Sequence, residues 1–135
     1  MAKVQRVKYF KANLENKPGA LLKIVNELRA KNLGLSGLWG FATQPGKAEL
    51  YVVPKNPDKL RSLWGASGLL ADEGTALWLK GTDRTGALVK SLETLAASGV
   101  NIESINAVAV NGRFGSVICV APAEIDKAAK VLGAK

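Results

Sequence analysis

The chain has 135 residues, 47% of them apolar, and a formal net charge of +8, a size that suits one domain or two very small ones with enough apolar mass for a buried core. It contains no histidine and a single cysteine, Cys119, which excludes an internal disulfide, Cys-pair metal motifs, zinc chemistry and histidine-based hydrolytic triads. No apolar run is long enough to cross a bilayer, and the opening MAKVQRVKYFK lacks the apolar stretch of a signal peptide, so the expectation is a cytoplasmic protein.

In chain order, residues 4–14 read as a strand, after which ENKPG leads into a helix. There Ala20, Leu21, Ile24, Val25 and Leu28 recur at helical spacing while Lys23 and Asn26 fall outside. Gly34 is expected to release the chain from this helix through a left-handed residue. LGLSGLWGFA and KAELYVV follow as two strands joined by the turn TQPG. In NPDKL, Asn56 is placed to cap a second helix and Pro57 suits its first turn. GLLADEG at 68–74 reads as a short closing strand.

A second series has the same order: a strand at 75–81, a helix with Ala87, Leu88, Leu92 and Leu95 inward and Lys90 and Glu93 outward, and Gly99 at its end. VNIESINAVAV and GSVICVA then flank the turn NGRFG, and PAEIDKAAKVL at 122–132 forms the last helix. The order repeats because the sequence does. ENKPGALLK at 15–23 returns 67 residues later as TDRTGALVK at 82–90, and the same shift aligns Leu28 with Leu95 and Ala30 with Ala97. Two units are therefore expected, 1–74 and 75–135. Each has the split βαβ order of an α+β, ferredoxin-like fold, an antiparallel sheet with two helices on one face. The second repeat stops before any equivalent of GLLADEG and lacks its last strand. Its open sheet edge is expected to be covered by the first repeat or by a second chain in a homodimer.

Within that fold Cys119, flanked by Val117, Ile118 and Val120, is a small core residue, and Trp39, Trp64 and Trp78 serve packing. Residues 1 to 67 carry 12 Lys/Arg and 4 Asp/Glu, whereas residues 68 to 135 carry 7 of each, so the whole charge excess lies in the first half. It reads as a solvated face or as a surface for an anionic partner.

The Gly-Ala-Leu openings, with a polar residue two or three positions earlier and VNI ahead of a strand, resemble the ACT domain, a family of small modules that bind amino acids and regulate metabolic enzymes. TDRTGALVKSLETLAASGVNIESINAVAV is similar to the regulatory region of aspartate kinases, and ENKPGALLKIVNELRAKNLGLSGL to the Asn-x-Pro-Gly form of other members. The resemblance covers almost the whole chain as two tandem units with no catalytic domain. It implies a free-standing regulatory protein that takes an amino acid and acts on a metabolic enzyme; from the residues themselves, with no histidine, one cysteine, no glycine-rich nucleotide loop and no long apolar run, no enzyme, cofactor, metal or membrane is expected, and nucleic acid is the less favoured partner.

Chemistry leads to the same segments. An amino acid presents a carboxylate beside an ammonium, and the unpaired backbone N–H groups of a helix start suit the carboxylate. In the second repeat these belong to Gly86, Ala87 and Leu88. Thr85 adds an amide and a hydroxyl, Asp83 is placed to hold the ammonium, and Asn101, by the resemblance, adds a hydrogen bond. The first repeat offers Asn16, Gly19, Ala20 and Leu21, but Pro18 removes a donor and position 16 carries no carboxylate, so the second repeat is the better site. Asp83, Thr85 and Asn16 equally suit helix capping, and Gly19 and Gly86 equally suit close packing. Side-chain selectivity is expected from Leu38, Trp39, Ile105 and Asn106. Two alternatives remain: a basic ferredoxin-like module that binds nucleic acid, against which the third strand KAELYVV offers only Tyr51 as an aromatic, and an interaction module that takes no ligand.

Overall fold

Alternating burial makes Lys3–Glu15 a strand of 13 residues, β1, with Phe10 and Ala12 buried on one face and Tyr9, Lys11 and Asn13 on the other. The computed structural model describes residues 3–82 and 85–134. Beyond β1 come α1 (Ala20–Ala30), β2 (Leu35–Gln44), β3 (Lys47–Pro54), α2 (Pro57–Ser67), β4 (Leu70–Thr82), α3 (Thr85–Ala97), β5 (Ile102–Val110), β6 (Arg113–Val120) and α4 (Ile125–Val131). The architecture is the expected α+β, ferredoxin-like one. None of the described helices is long and apolar enough to cross a membrane.

The chain divides into two compact units, and the division cuts through β1 and β4. In the unit Lys8–Gly74 the strand order is β2-β3-β1, with Leu70–Gly74 of β4 beyond β1. Its core sets Phe10, Ala12, Leu50 and Val52 of the sheet against Ile24 and Leu28 of α1 and Leu60 and Trp64 of α2. The other unit joins Lys3–Val7 to the chain from Thr75 onward, with Lys3–Val7 beside β4, followed by β6 and β5. Leu77, Leu79, Ile118 and Val120 of this sheet meet Leu95, Ala128 and Ala129, and Val4 packs against them. Each fully buried leucine, isoleucine or valine side chain in these clusters contributes about 1.5–3 kcal/mol relative to exposure. The start of the chain thus occupies the place where the second repeat has no strand of its own.

Three local features differ from the sequence expectation. GLLADEG and the strand at 75–81 form one continuous strand, β4, because Gly74 provides clearance instead of a turn. A Cβ there would lie 2.7 Å from the Tyr9 hydroxyl and 2.8 Å from its ring. Helix α1 ends at Ala30, and the left-handed residue after it is Asn32, with φ 55°, not Gly34; asparagine reaches that region at small cost. The hairpin between β5 and β6 turns on Asn111 and Gly112, φ 53° and 74°. Positive φ at both central residues lets the turn follow the twist of the strands.

Candidate functional site

In the first repeat the loop from β1 to α1 is held mainly by its backbone. The Asn16 N–H donates to the Gly46 carbonyl at 3.0 Å, which ties Asn16 to the β2–β3 hairpin, and the Lys17 N–H donates to Glu15 at 3.1 Å. Gly19 precedes the helix in the left-handed region, φ 88°, and no side chain caps the helix. Asn16 is therefore not a cap. An added Cβ at Gly19 would meet nothing within 4 Å, so its positive φ and not crowding requires glycine. Ala20 is half-buried and Leu21 is 44% exposed. Gly19, Ala20 and Leu21 share the start of α1, whereas Asn16 belongs to the hairpin end.

In the second repeat Asp83 lies outside the described residues. Thr85 opens α3 without a proline, followed by Gly86, which is exposed with open space around its Cα. Ala87 and Leu88 are half-buried, and Leu88 packs on the core. Asn101 is exposed just ahead of β5, but the register separates it from these residues. Ile102 pairs with Val120 whereas Thr82 pairs with Arg113, at opposite ends of β6 and about 23 Å apart at 3.3 Å per residue.

The register also places residues that sequence reasoning missed. Lys47 stands opposite Glu15 and Arg113 opposite Thr82, so a basic residue flanks each strand-to-helix loop. The second hairpin is one residue shorter, which hides this equivalence from a uniform shift of 67. Beside the first loop lies an open depression of about 560 Å³, lined by Asn13, Leu14, Glu15, Asn16, Lys17, Gly46 and Lys47. The Lys17 ammonium donates to Glu15 at 2.9 Å. That hydrogen bond holds the Glu15 carboxyl below the usual range and raises Lys17.

On the same face of the sheet, opposite the helices, Lys11 pairs with Glu49 at 2.9 Å and the Tyr51 hydroxyl donates to Glu49 at 2.9 Å. Tyr51 centres a row of rings, with Trp39 stacked at 5.5 Å and 3°, Phe41 at 6.0 Å and 19°, and Tyr9 tilted at 6.0 Å. Trp39 is thus engaged with Tyr51. Asn106 is engaged as well, its side-chain oxygen accepting from the Val117 N–H at 3.3 Å. Leu38 and Ile105 stay exposed. Burial pushes the Cys119 thiol up, away from nucleophilic use, and among the described residues no three His, Cys, Asp or Glu gather to hold a metal.

This arrangement is an ACT-like fold shared with the regulatory subunits of aspartate kinases. The regulatory subunit of aspartate kinase from Thermus thermophilus superposes with a TM-score of 0.64 at 12% identity, over 98% of this chain and 94% of that one. Its counterpart from Thermus flavus gives 0.61 at 16%, over 98% and 94%. The chain belongs to the same family as protein BT0572 from Bacteroides thetaiotaomicron, to which it is 30% identical with a TM-score of 0.80, over 98% of this chain and 88% of that protein. No protein-family model matches the sequence, and no curated protein does.

Proposed function

We propose that this protein is a non-catalytic regulatory protein of the ACT type that binds an amino acid at the second strand-to-helix loop, residues 82–88, and thereby regulates amino acid metabolism. The observation that carries this reading is the opening of α3. It begins with Thr85, followed by an exposed Gly86 at which an added Cβ would meet nothing among the described residues within 4 Å, and the first-turn N–H groups of a helix have no partner within it and suit an anion. The first repeat differs at this point. Pro18 supplies no N–H, and the left-handed Gly19 N–H leads into α1 behind it.

In this reading the ligand carboxylate meets the amides of Gly86, Ala87 and Leu88, and Asp83 takes the ammonium. The fold shared with aspartate kinase regulatory subunits supports the regulatory role, with a metabolic enzyme as partner; the homodimer expected from an open sheet edge loses that ground, since Lys3–Val7 lie beside β4. Asn101, at the other end of β6, takes no part within the same unit.

Titration calorimetry with the proteinogenic amino acids tests the reading, with Asp83→Asn as the deciding variant because Asn caps a helix as well as Asp does but carries no charge. Loss of the charge-assisted contact, about 1.5–3 kcal/mol, lowers affinity roughly tenfold to a hundredfold while stability is kept. Unchanged affinity in Asp83→Asn would remove the ammonium role.

A further inference from the structure

In the unit that begins at Thr75, pairing sets Lys80 opposite Gly115 and Thr82 opposite Arg113, and across β6 it sets Val108 opposite Gly115 and Val110 opposite Arg113. Leu77, Leu79 and Ile118 turn to the core, so by alternation these residues share the sheet face away from the helices. Lys80 and Arg113 are exposed, and Val108 and Val110 are 64% and 62% exposed. Gly115 floors the space between them, since among the described residues an added Cβ there would meet only the Leu79 carbonyl oxygen, at 3.9 Å. We propose that this face is a docking surface for an acidic segment of a partner protein, one that carries two carboxylates beside an apolar side chain.

Charge names the partner. In the first repeat cations at the equivalent end of the sheet are matched, Lys11 by Glu49 and Lys17 by Glu15, each at 2.9 Å. Neither Lys80 nor Arg113 has an ion pair among the described residues. Residues 75–82, β5 and β6 hold one carboxylate, Glu103, which stands beside Ser104, the partner of Cys119, toward the other end of β5. Residues 68 to 135 carry 7 Lys/Arg and 7 Asp/Glu, so this local excess comes from the fold and not from composition. A second copy is a poor occupant, because a two-fold contact sets the same patch on both sides and brings cations against cations. Nucleic acid is another, since two cations neutralise few phosphates and the exposed valines offer bases no ring to stack on.

Spacing describes the segment. Lys80 and Arg113 stand diagonally across the β4–β6 pair, roughly 7–8 Å apart at the backbone. Two carboxylates at alternate positions of an extended segment are about 6.6 Å apart, which serves both cations. An apolar residue at the next alternate position can cover Val108 or Val110, and the area it removes from water adds to the two charge contacts. This docking needs no ligand at the α3 loop and stands apart from the function proposed for that loop.

The test is titration of the full isotope-labelled chain, followed by backbone amide shifts, with the peptide acetyl-Glu-Ser-Glu-Ser-Val-Ser-Val-amide, with its counterpart carrying Lys for Glu, and with a single-stranded oligonucleotide. The acidic peptide should shift the amides of Val108, Val110, Arg113 and Gly115 saturably, and the lysine peptide should not. Arg113→Gln and Lys80→Gln should each weaken the acidic peptide roughly two- to fivefold, and the double variant roughly tenfold. Added salt should weaken it too, and Val108→Ser should weaken it while leaving that salt dependence in place. All these positions are exposed, and unchanged amide shifts elsewhere report a retained fold. Lys130→Gln, on α4, is the control and should change nothing. The proposal is overturned if the acidic peptide leaves these amides unmoved, if the lysine peptide matches it, or if Lys130→Gln weakens binding as much as Arg113→Gln does. Tighter binding of the oligonucleotide at the same amides would assign the face to nucleic acid, and self-association abolished by Val108→Ser would assign it to a second copy; either result overturns the proposal as well.

Discussion

Glu49 accepts from the Lys11 ammonium and from the Tyr51 hydroxyl, both at 2.9 Å, and the Lys11 hydrogen bond is the larger reason its carboxyl sits below the usual range. A carboxylate whose pKa is lower in the folded chain than in the unfolded one contributes stability above the unfolded pKa. That contribution is lost as pH falls through the folded pKa, so the window lies below the usual carboxylate range. Both side chains keep 24% of their surface in water, which limits the pair to about 0.2–1 kcal/mol. Glu49→Gln should therefore lose that amount near neutral pH and show a flatter acid limb, read from urea midpoints on both sides of the window. An unchanged acid limb would mean that other carboxylates control it.

At the scale of elements, two asparagines of similar sequence standing separate. The Asn56 side chain accepts from the Lys59 N–H at 3.2 Å at the start of α2, with Pro57 next, as the sequence order NPDKL indicates. Lys59 also donates through its ammonium to the Lys31 carbonyl, 2.7 Å away at the end of α1, satisfying one of the carbonyls that a helix end leaves open. Asn16 bonds through its backbone to the hairpin and caps nothing. Asn56→Ala should lower stability by about 1 kcal/mol, seen as a reduced denaturant midpoint with an unchanged slope. Asn16→Ala should leave the midpoint in place. The contrast shows what was legible: a cap is local, so NPDKL announced it, whereas Asn16 was drawn to Gly46 by a hairpin that only strand pairing brings near. Gly74 was illegible for a related reason, since a strand glycine and a turn glycine look alike until Tyr9 is laid across it.

At the scale of the whole molecule, Lys3–Val7 complete the sheet of the unit that begins at Thr75. They bring Val4 to its core and Arg6 to Asp126, 2.6 Å away on α4. Deleting residues 1–7 should uncover the edge of β4 and remove Val4 from the cluster around Leu77 and Leu79. Hydrogen exchange should then show lost amide protection in residues 75–82, with more self-association through the bared edge, while α1 and α2 keep theirs. Retained protection at 75–82 would mean that the unit stands without this strand.

By itself the sequence determined the repeat, the helical spacing that turns Ile24 and Leu28 of α1 and Leu88, Leu92 and Leu95 of α3 inward, though Leu21 and Val25 of α1 stay exposed, and the cap at Asn56 and the hairpin turns written in short motifs. All of these depend on neighbours within a few residues, through helical spacing, strand alternation and the φ preferences of glycine, proline and asparagine. Only the tertiary structure decided that β1 and β4 each serve both units, that Asn101 and Thr85 lie at opposite ends of a strand, and that Lys47, Glu15, Phe41 and Tyr51 share one face. These are consequences of register between strands distant in sequence. The register is set by which faces bury Phe10, Leu50, Leu77 and Ile118, and a shift of one residue would send every side chain of the strand to the other side.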